Sequence, residues 1–513
     1  MCIHLKVFVF CILVHFVSYI YDMKKKKWFL ISACVLGVAI GAFVFCAQNL
    51  NKGDNYCYYN QTLVFNAEEK VLEGKEIVGF YNYTDTVLTK AYLHLYPNAF
   101  RENAKAKVVS LANEVKAYPN GKSYGNIQIE SVCSKTGSLE YEIGGEDENI
   151  LIIDFGQELY PDELIEFEVG FATSLANINH RLGYGENTYN LCNYYPVLCV
   201  YENGDYVTDL YHYNGDPFYS KISNYTVEIT YPKDMTLASS GTFETTVSEA
   251  NKTSLITANK IRDFAMVLSE KFTVLCDSYK DIDINYYYYD DSNPATTMEV
   301  IKKTFMMNEK YGKYPYKAIS VCEANFVHGG MEYPNIVLIS DNLASYDTYI
   351  NVVVHELCHQ WWYGLVGNNQ FKYGFLDEGL TDFTTAMFYD EHPEYNHTSD
   401  EIFDNASKSY TNFVKVFSDV IPDFSTKMAR DLDEFGTENE YVYLSYVKGM
   451  LMFSNLNDLL GKSKMTKCLK YYFECNKFKE ATPDDLVTAF NKASGKDLTS
   501  FFNSWFEGNV VIK

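Results

Sequence analysis

The spacing His355-Glu356-Leu357-Cys358-His359, followed eighteen residues later by Glu378, constrains the fold of this chain more than any other feature. On a helix, residues four apart share a face, so both imidazoles can reach one point with Glu356 beside them. The apolar flanks (Val352 to Val354, Leu357, Trp361, Trp362, Leu365) also fit a plainer reading, a buried helix whose histidines hydrogen-bond within the core. Glu378 weighs against that, because it opens a second helix in Phe375 to Phe383, after the loop Gly364 to Gly374. Two neutral imidazoles and one carboxylate leave the fourth position of a tetrahedral ion open to water, the mark of a catalytic rather than a structural Zn²⁺. The expectation is one Zn²⁺ per chain held by His355, His359 and Glu378. Glu356, next to a ligand but not one itself, is placed as a general base.

With Gly329-Gly330-Met331-Glu332-Tyr333 upstream, the order of motifs resembles that of the aminopeptidase N family of zinc metallopeptidases, the gluzincins. The resemblance is strongest from 310 to 450 and implies a hydrolase that removes N-terminal amino acids from peptides. It implies that Gly329, Gly330 and Met331 lie on the edge strand along which substrate binds, and that Glu332 meets the α-amino group. It assigns the oxyanion donor to Tyr446, in Ser445-Tyr446-Val447-Lys448-Gly449, with Tyr441 and Tyr443 as close rivals. Asp382, one turn after Glu378, is placed either to accept from the outer nitrogen of His355, as in related gluzincins, or simply to face solvent.

Two features depart from the family pattern. Tyr333 stands where many members have Asn, and the Gln-rich, Arg-containing segment that supplies a second contact to the substrate amine is missing. Arg181-Leu182-Gly183-Tyr184 and Tyr194-Tyr195-Pro196 occupy the corresponding region. Two other readings therefore stay open: a gluzincin peptidase without strict N-terminal specificity, and a membrane-tethered, inactive peptide-binding homologue. An inactive relative would be expected to lose at least one of His355, Glu356, His359, Glu378 or Tyr446, and all five are present.

The expected fold class is α+β and multidomain: an N-terminal antiparallel β-sheet domain over 54–272, then a thermolysin-like, mainly helical catalytic domain over 273–513. Leu164 to Phe171 and Tyr225 to Tyr231 alternate with period two, as half-buried strands do. Ala91 to Phe100 and Arg262 to Phe272 resemble the family's β domain and its exit into the catalytic domain. From 384 onward the pattern is helical; Thr482-Pro483-Asp484-Asp485 forms a capping box with Pro at the first helical position, and Gly495 closes that helix. The expectation is a short form without the further helical domain that larger members carry.

The net charge of -24 argues against nucleic acid as a partner, since a phosphate-binding surface needs clustered Lys and Arg. The acidity itself speaks to solubility and not to substrate, because charge selects a ligand only where it lines the pocket. Trp28 to Cys46 carries no charge over 19 residues and follows Lys24 to Lys27. A retained membrane anchor is expected over 23–50, with the catalytic domain extracytoplasmic, or secreted if the segment is cleaved. Met23 looks like a signal's own beginning, and the expectation is that 1–22 is an artefact of start-site choice. Nine cysteines follow the apolar N-terminal runs, an odd number with no disulfide framework. Nothing in the sequence fixes an oligomeric state.

Overall fold

The computed structural model describes residues 55–508 and 510. The expected anchor at 23–50 and the run 1–22 lie outside them. Among the described residues no helix is long and apolar enough to cross a membrane, and the nine cysteines from Cys57 on are free thiols.

The N-terminal half contains an eight-stranded sheet and two four-stranded sheets. Alternation along the strands sets which face is buried: in Cys57–Asn66, Leu63 and Phe65 are buried while Val64 between them is 52% exposed. The large sheet is antiparallel at every pairing but one. Cys57–Asn66 runs parallel to Ser223–Pro232, in register from Cys57 opposite Ser223 to Val64 opposite Thr230. Period-two patterning reports the buried face of a strand and is silent on its neighbour's direction, so this pairing of sequence-distant strands could not be read in advance.

A five-stranded sheet opens at Thr273, in the order Thr273–Tyr279, Ile282–Tyr288, Ala318–Ala324, Ile336–Ser340, Gly330–Met331. Ala318–Ala324 and Ile336–Ser340 are buried along their whole length, as expected of strands covered on both faces. Ile336 and Leu338 point into the core of the β region, whereas Val337 and Ile339 point into the core of the helices. One sheet thus closes two cores, and the described residues form one compact unit. The helices begin with Pro294–Asn308, and the metal-motif helix is Tyr346–Cys358. At Thr482 the capping box forms, with Oγ1 accepting from the Asp485 amide and Asp485 Oδ2 accepting from the Thr482 amide, and Gly495 ends that helix in the left-handed region.

The helix carrying Glu378 (Glu378–Glu391) crosses the one that follows Tyr446 (Lys448–Leu460) at two glycines. A Cβ on Gly379 would lie 2.6 Å from the Gly449 Cα, and one on Gly449 2.8 Å from the Gly379 Cα. Backbone cannot yield as a side-chain tip can, so Gly449→Ala is expected to cost about 1–3 kcal/mol of stability in urea unfolding. An unchanged midpoint would show that the crossing relaxes freely.

Candidate active site

The metal-motif helix starts at Ser345, whose hydroxyl accepts from the Thr348 amide at 3.2 Å, and delivers His355 and Glu356 in its last turn. His359 sits at its C-terminal cap with helical backbone angles, so it stays on the face of His355. The chain then breaks away through Gln360–Leu365, where Tyr363 takes φ 153° and ψ -61°. Such a backbone costs of order 1–3 kcal/mol and persists only where its surroundings impose it. Here Arg262 Nε donates to the Tyr363 carbonyl at 2.8 Å, and the Tyr363 hydroxyl donates to Asp263. Both residues belong to the Arg262 to Phe272 segment, which locks the turn behind the metal helix.

The inner atoms of the three expected ligands converge. His355 Nε2 lies 3.3 Å from Glu378 Oε2, His359 Nε2 lies 3.1 Å from the same oxygen, and the two Nε2 atoms are 3.1 Å apart. Donors about 2.0–2.1 Å from a tetrahedral zinc would be spaced roughly 3.3 Å apart. The outer nitrogens are held as well: His355 Nδ1 is 2.9 Å from Asp382 Oδ1, while His359 Nδ1 meets the Trp362 carbonyl at 3.0 Å and the Thr381 hydroxyl at 3.1 Å. Thr381 carried no signal in the sequence.

Burial pushes the Glu356 carboxyl up to about 7, against the pull of both imidazoles. Glu378 is held at about 2 although burial opposes its charge, because His359 and His355 surround it. His359 rises to about 10 in spite of burial through Glu378 and Glu332, and burial lifts Asp377 to about 7. Glu332 is driven well above the ordinary range, by burial first and then by Asp216. So many carboxyls cannot share a dry pocket as anions without positive charge among them. Glu356 Oε2 is buried with no protein partner, an orphan that a water or a substrate proton would satisfy. The donor set, its spacing and this orphan fit a zinc ion.

Tyr446 lies in a wide helical turn, Val442–Val447. Its hydroxyl donates to Glu378 Oε1 at 2.6 Å, and its ring stacks over His355. Tyr443 stacks on Phe413 instead, while Tyr441 shares the cleft wall with Tyr446. The cleft measures about 270 Å³.

Gly330 sits on the sheet edge beside the helix, but what its missing Cβ admits is not another backbone, the usual reason for glycine in an extended segment. A Cβ there would stand 2.5 Å from Glu356 Oε1. Gly329 and Gly330 line the cleft. The Met331 side chain is turned away, into the core shared with the β region. Tyr333 does the same, its hydroxyl donating to Asn193 Oδ1 at 2.6 Å.

Glu332 is buried and accepts from Gln370 Nε2 at 2.8 Å; that amide also donates to Asp377 Oδ2 at 2.9 Å. Its neighbour from the β region is Asp216, whose carboxylate lies within 4.8 Å of those of Glu332 and Glu378. Arg181 Nη1 holds Asp216 at 2.5 Å, and the guanidinium rests over the Phe218 ring. In sequence, Asn214-Gly215-Asp216-Pro217 reads as turn punctuation, which is why Asp216 escaped notice. Asn214 fastens the loop to the catalytic half by donating to the carbonyls of Leu432 (3.0 Å) and Phe435 (2.9 Å).

Residues 296–505 match the model of the Peptidase family M1 domain. Over those residues the chain is similar to the M1 zinc metallopeptidases, the family of aminopeptidase N. Leucine aminopeptidase 2 of Aspergillus fumigatus is 31% identical over 176 residues, 33% of this chain and 27% of that protein. Leucine aminopeptidase 2-2 of Meyerozyma guilliermondii is 25% identical over 220 residues, 39% of this chain and 35% of its own length. The chain thus matches only about a quarter to a third of these curated relatives. An M1 zinc metallopeptidase from Deinococcus radiodurans shares the fold with a TM-score of 0.64 at 13% identity, over 90% of this chain and 96% of that one.

Proposed function

We propose that this protein is a zinc aminopeptidase of the M1 family that releases single residues from the free amino end of peptides. The observation that carries the reading is the pair of buried carboxylates, Asp216 and Glu332, within 4.8 Å of each other and of Glu378, with Asp216 lining the cleft. A free α-ammonium group fits there; an internal peptide amide, neutral and flanked by chain on both sides, does not. Asp216 supplies from the β region the second contact whose usual sequence signature is missing. That favours strict N-terminal specificity over the looser gluzincin reading.

His355, His359 and Glu378 would hold one zinc ion. Bound there, zinc supplies Lewis acidity, positive charge that acidifies water and polarises the scissile carbonyl. Glu356, its Oε2 free of protein partners, accepts a proton from the attacking water and returns it to the leaving amine nitrogen. The Tyr446 hydroxyl, now on Glu378 Oε1, is the donor for the developing oxyanion. Asp382 and Thr381 hold the outer nitrogens of the two imidazoles, which fixes their tautomer and aim. The uncharged run Trp28 to Cys46 behind Lys24 to Lys27 supports a membrane-anchored, extracytoplasmic location.

The test is hydrolysis of one short peptide by the zinc-loaded protein, with its amino terminus free and acetylated. Cleavage of the free form only is expected. Equal cleavage would make the enzyme an endopeptidase and remove Glu332 and Asp216 from amine binding; cleavage of neither would leave a peptide-binding protein without activity.

A further inference from the structure

Three carboxylates line the cleft: Asp216, Glu356 and Glu438. Asp216 is paired with Arg181, and Glu356 stands beside the metal ligands. Glu438 has no part in the chemistry proposed above, on which the following rests.

Glu438 opens the short helix Glu438–Tyr441, and neutral donors from the β region hold its carboxylate. Ser110 Oγ donates to Oε2 at 2.7 Å, and Asn113 Nδ2 reaches Oε1 at 3.0 Å and Oε2 at 3.1 Å. These contacts fix the group in place without cancelling its charge. The nearest basic side chain, His328, has Nδ1 3.7 Å from Oε1, but burial and the Arg181 charge hold its pKa below the ordinary value, so it is neutral at pH 7. Arg181 is the one Lys or Arg among the described residues lining the cleft, and Asp216 occupies it. Glu438 is 26% exposed on its side chain. The wall of the same cleft includes Phe326, Val352, Val442 and Tyr441, apolar or aromatic surface suited to a methylene stem.

We propose that Glu438 makes this cleft select peptides whose N-terminal residue is basic, Arg or Lys, the stem lying along the apolar wall and the cationic head reaching Glu438. Holding a carboxylate with neutral donors costs nothing when a cation arrives, whereas a leucine there would bury the charge uncompensated. The acidity of the chain as a whole carries no such information. One carboxylate at the pocket does.

The experiment measures kcat/KM of the zinc-loaded protein on the p-nitroanilides of Arg, Lys, Leu, Met and Glu. A preference for Arg and Lys over Leu and Met of about tenfold is expected, the scale of one charge-assisted contact. Glu438→Gln keeps the shape and can still accept from Ser110, so it should erase the preference mainly through KM. Glu438→Lys should favour the Glu substrate. No basic preference in the wild-type protein, or the same ratio in Glu438→Gln, overturns the proposal. If no substrate is cleaved, the aminopeptidase reading fails, and calorimetric binding of argininamide against leucinamide still decides. About tenfold tighter argininamide, lost in Glu438→Gln, supports the proposal; equal binding overturns it.

Discussion

Replacing Glu356 with glutamine is expected to lower turnover about a thousandfold while zinc content and fold stay unchanged. The carboxyl is buried, its Oε2 has no protein partner, and Oε1 is packed against Gly330. Glutamine fills that space almost atom for atom, so the sheet edge and helix should keep their contact. What an amide cannot do is take a proton from water and return it to the leaving amine. Since His355, His359 and Glu378 are untouched, metal analysis of the purified variant should give the wild-type stoichiometry. Turnover within tenfold of wild type would sink the assignment, because a general base contributes about a hundredfold or more. Lost zinc would instead mean that Glu356 supports the ligands.

The second large effect concerns stability. Arg262→Met is expected to destabilise the protein by about 3–5 kcal/mol, the usual cost of removing one partner from a buried ionic network. Arg262 is 1% exposed. Its Nε donates to the Tyr363 carbonyl at 2.8 Å, Nη1 to the Ser220 carbonyl at 3.3 Å and Glu480 Oε1 at 3.4 Å, and Nη2 to the Lys479 carbonyl at 3.3 Å. Methionine replaces the stem and none of these donors, leaving three carbonyls and part of a carboxylate buried and unpaired. Lys221 still holds Glu480, which keeps the loss within that range. The same change releases Tyr363 from its strained backbone, so zinc affinity should fall along with the urea midpoint. A loss below 1 kcal/mol would show that Arg262 reports the junction between the two halves without holding it together.

The convergence of His355, His359 and Glu378 was legible because it depends on short, regular geometry. His355 and His359 are one helical turn apart whatever surrounds them, and Glu378 opens the next helix, so only the loop between had to fold back. The cap at Thr482, the closing Gly495 and the buried faces of the strands are legible for the same reason. Asp382 was half legible: its place one turn beyond Glu378 was evident, its 2.9 Å contact with His355 was not.

The sequence by itself determined the fold class and the helices that bring His355, His359 and Glu378 together, since each follows from periodicity and residue type within some thirty positions. Only the tertiary structure decided that Cys57–Asn66 runs parallel to Ser223–Pro232, that Met331 turns away from the cleft, and that Asp216 and Glu438 enter it. Asp216 comes from a loop that resembles any turn, and Glu438 takes its place from Ser110 and Asn113, more than three hundred residues earlier in the chain. Local periodicity sets direction and spacing only over a few turns. Contacts across such separations are chosen by the packing of both cores against the shared sheet, a property of the whole chain.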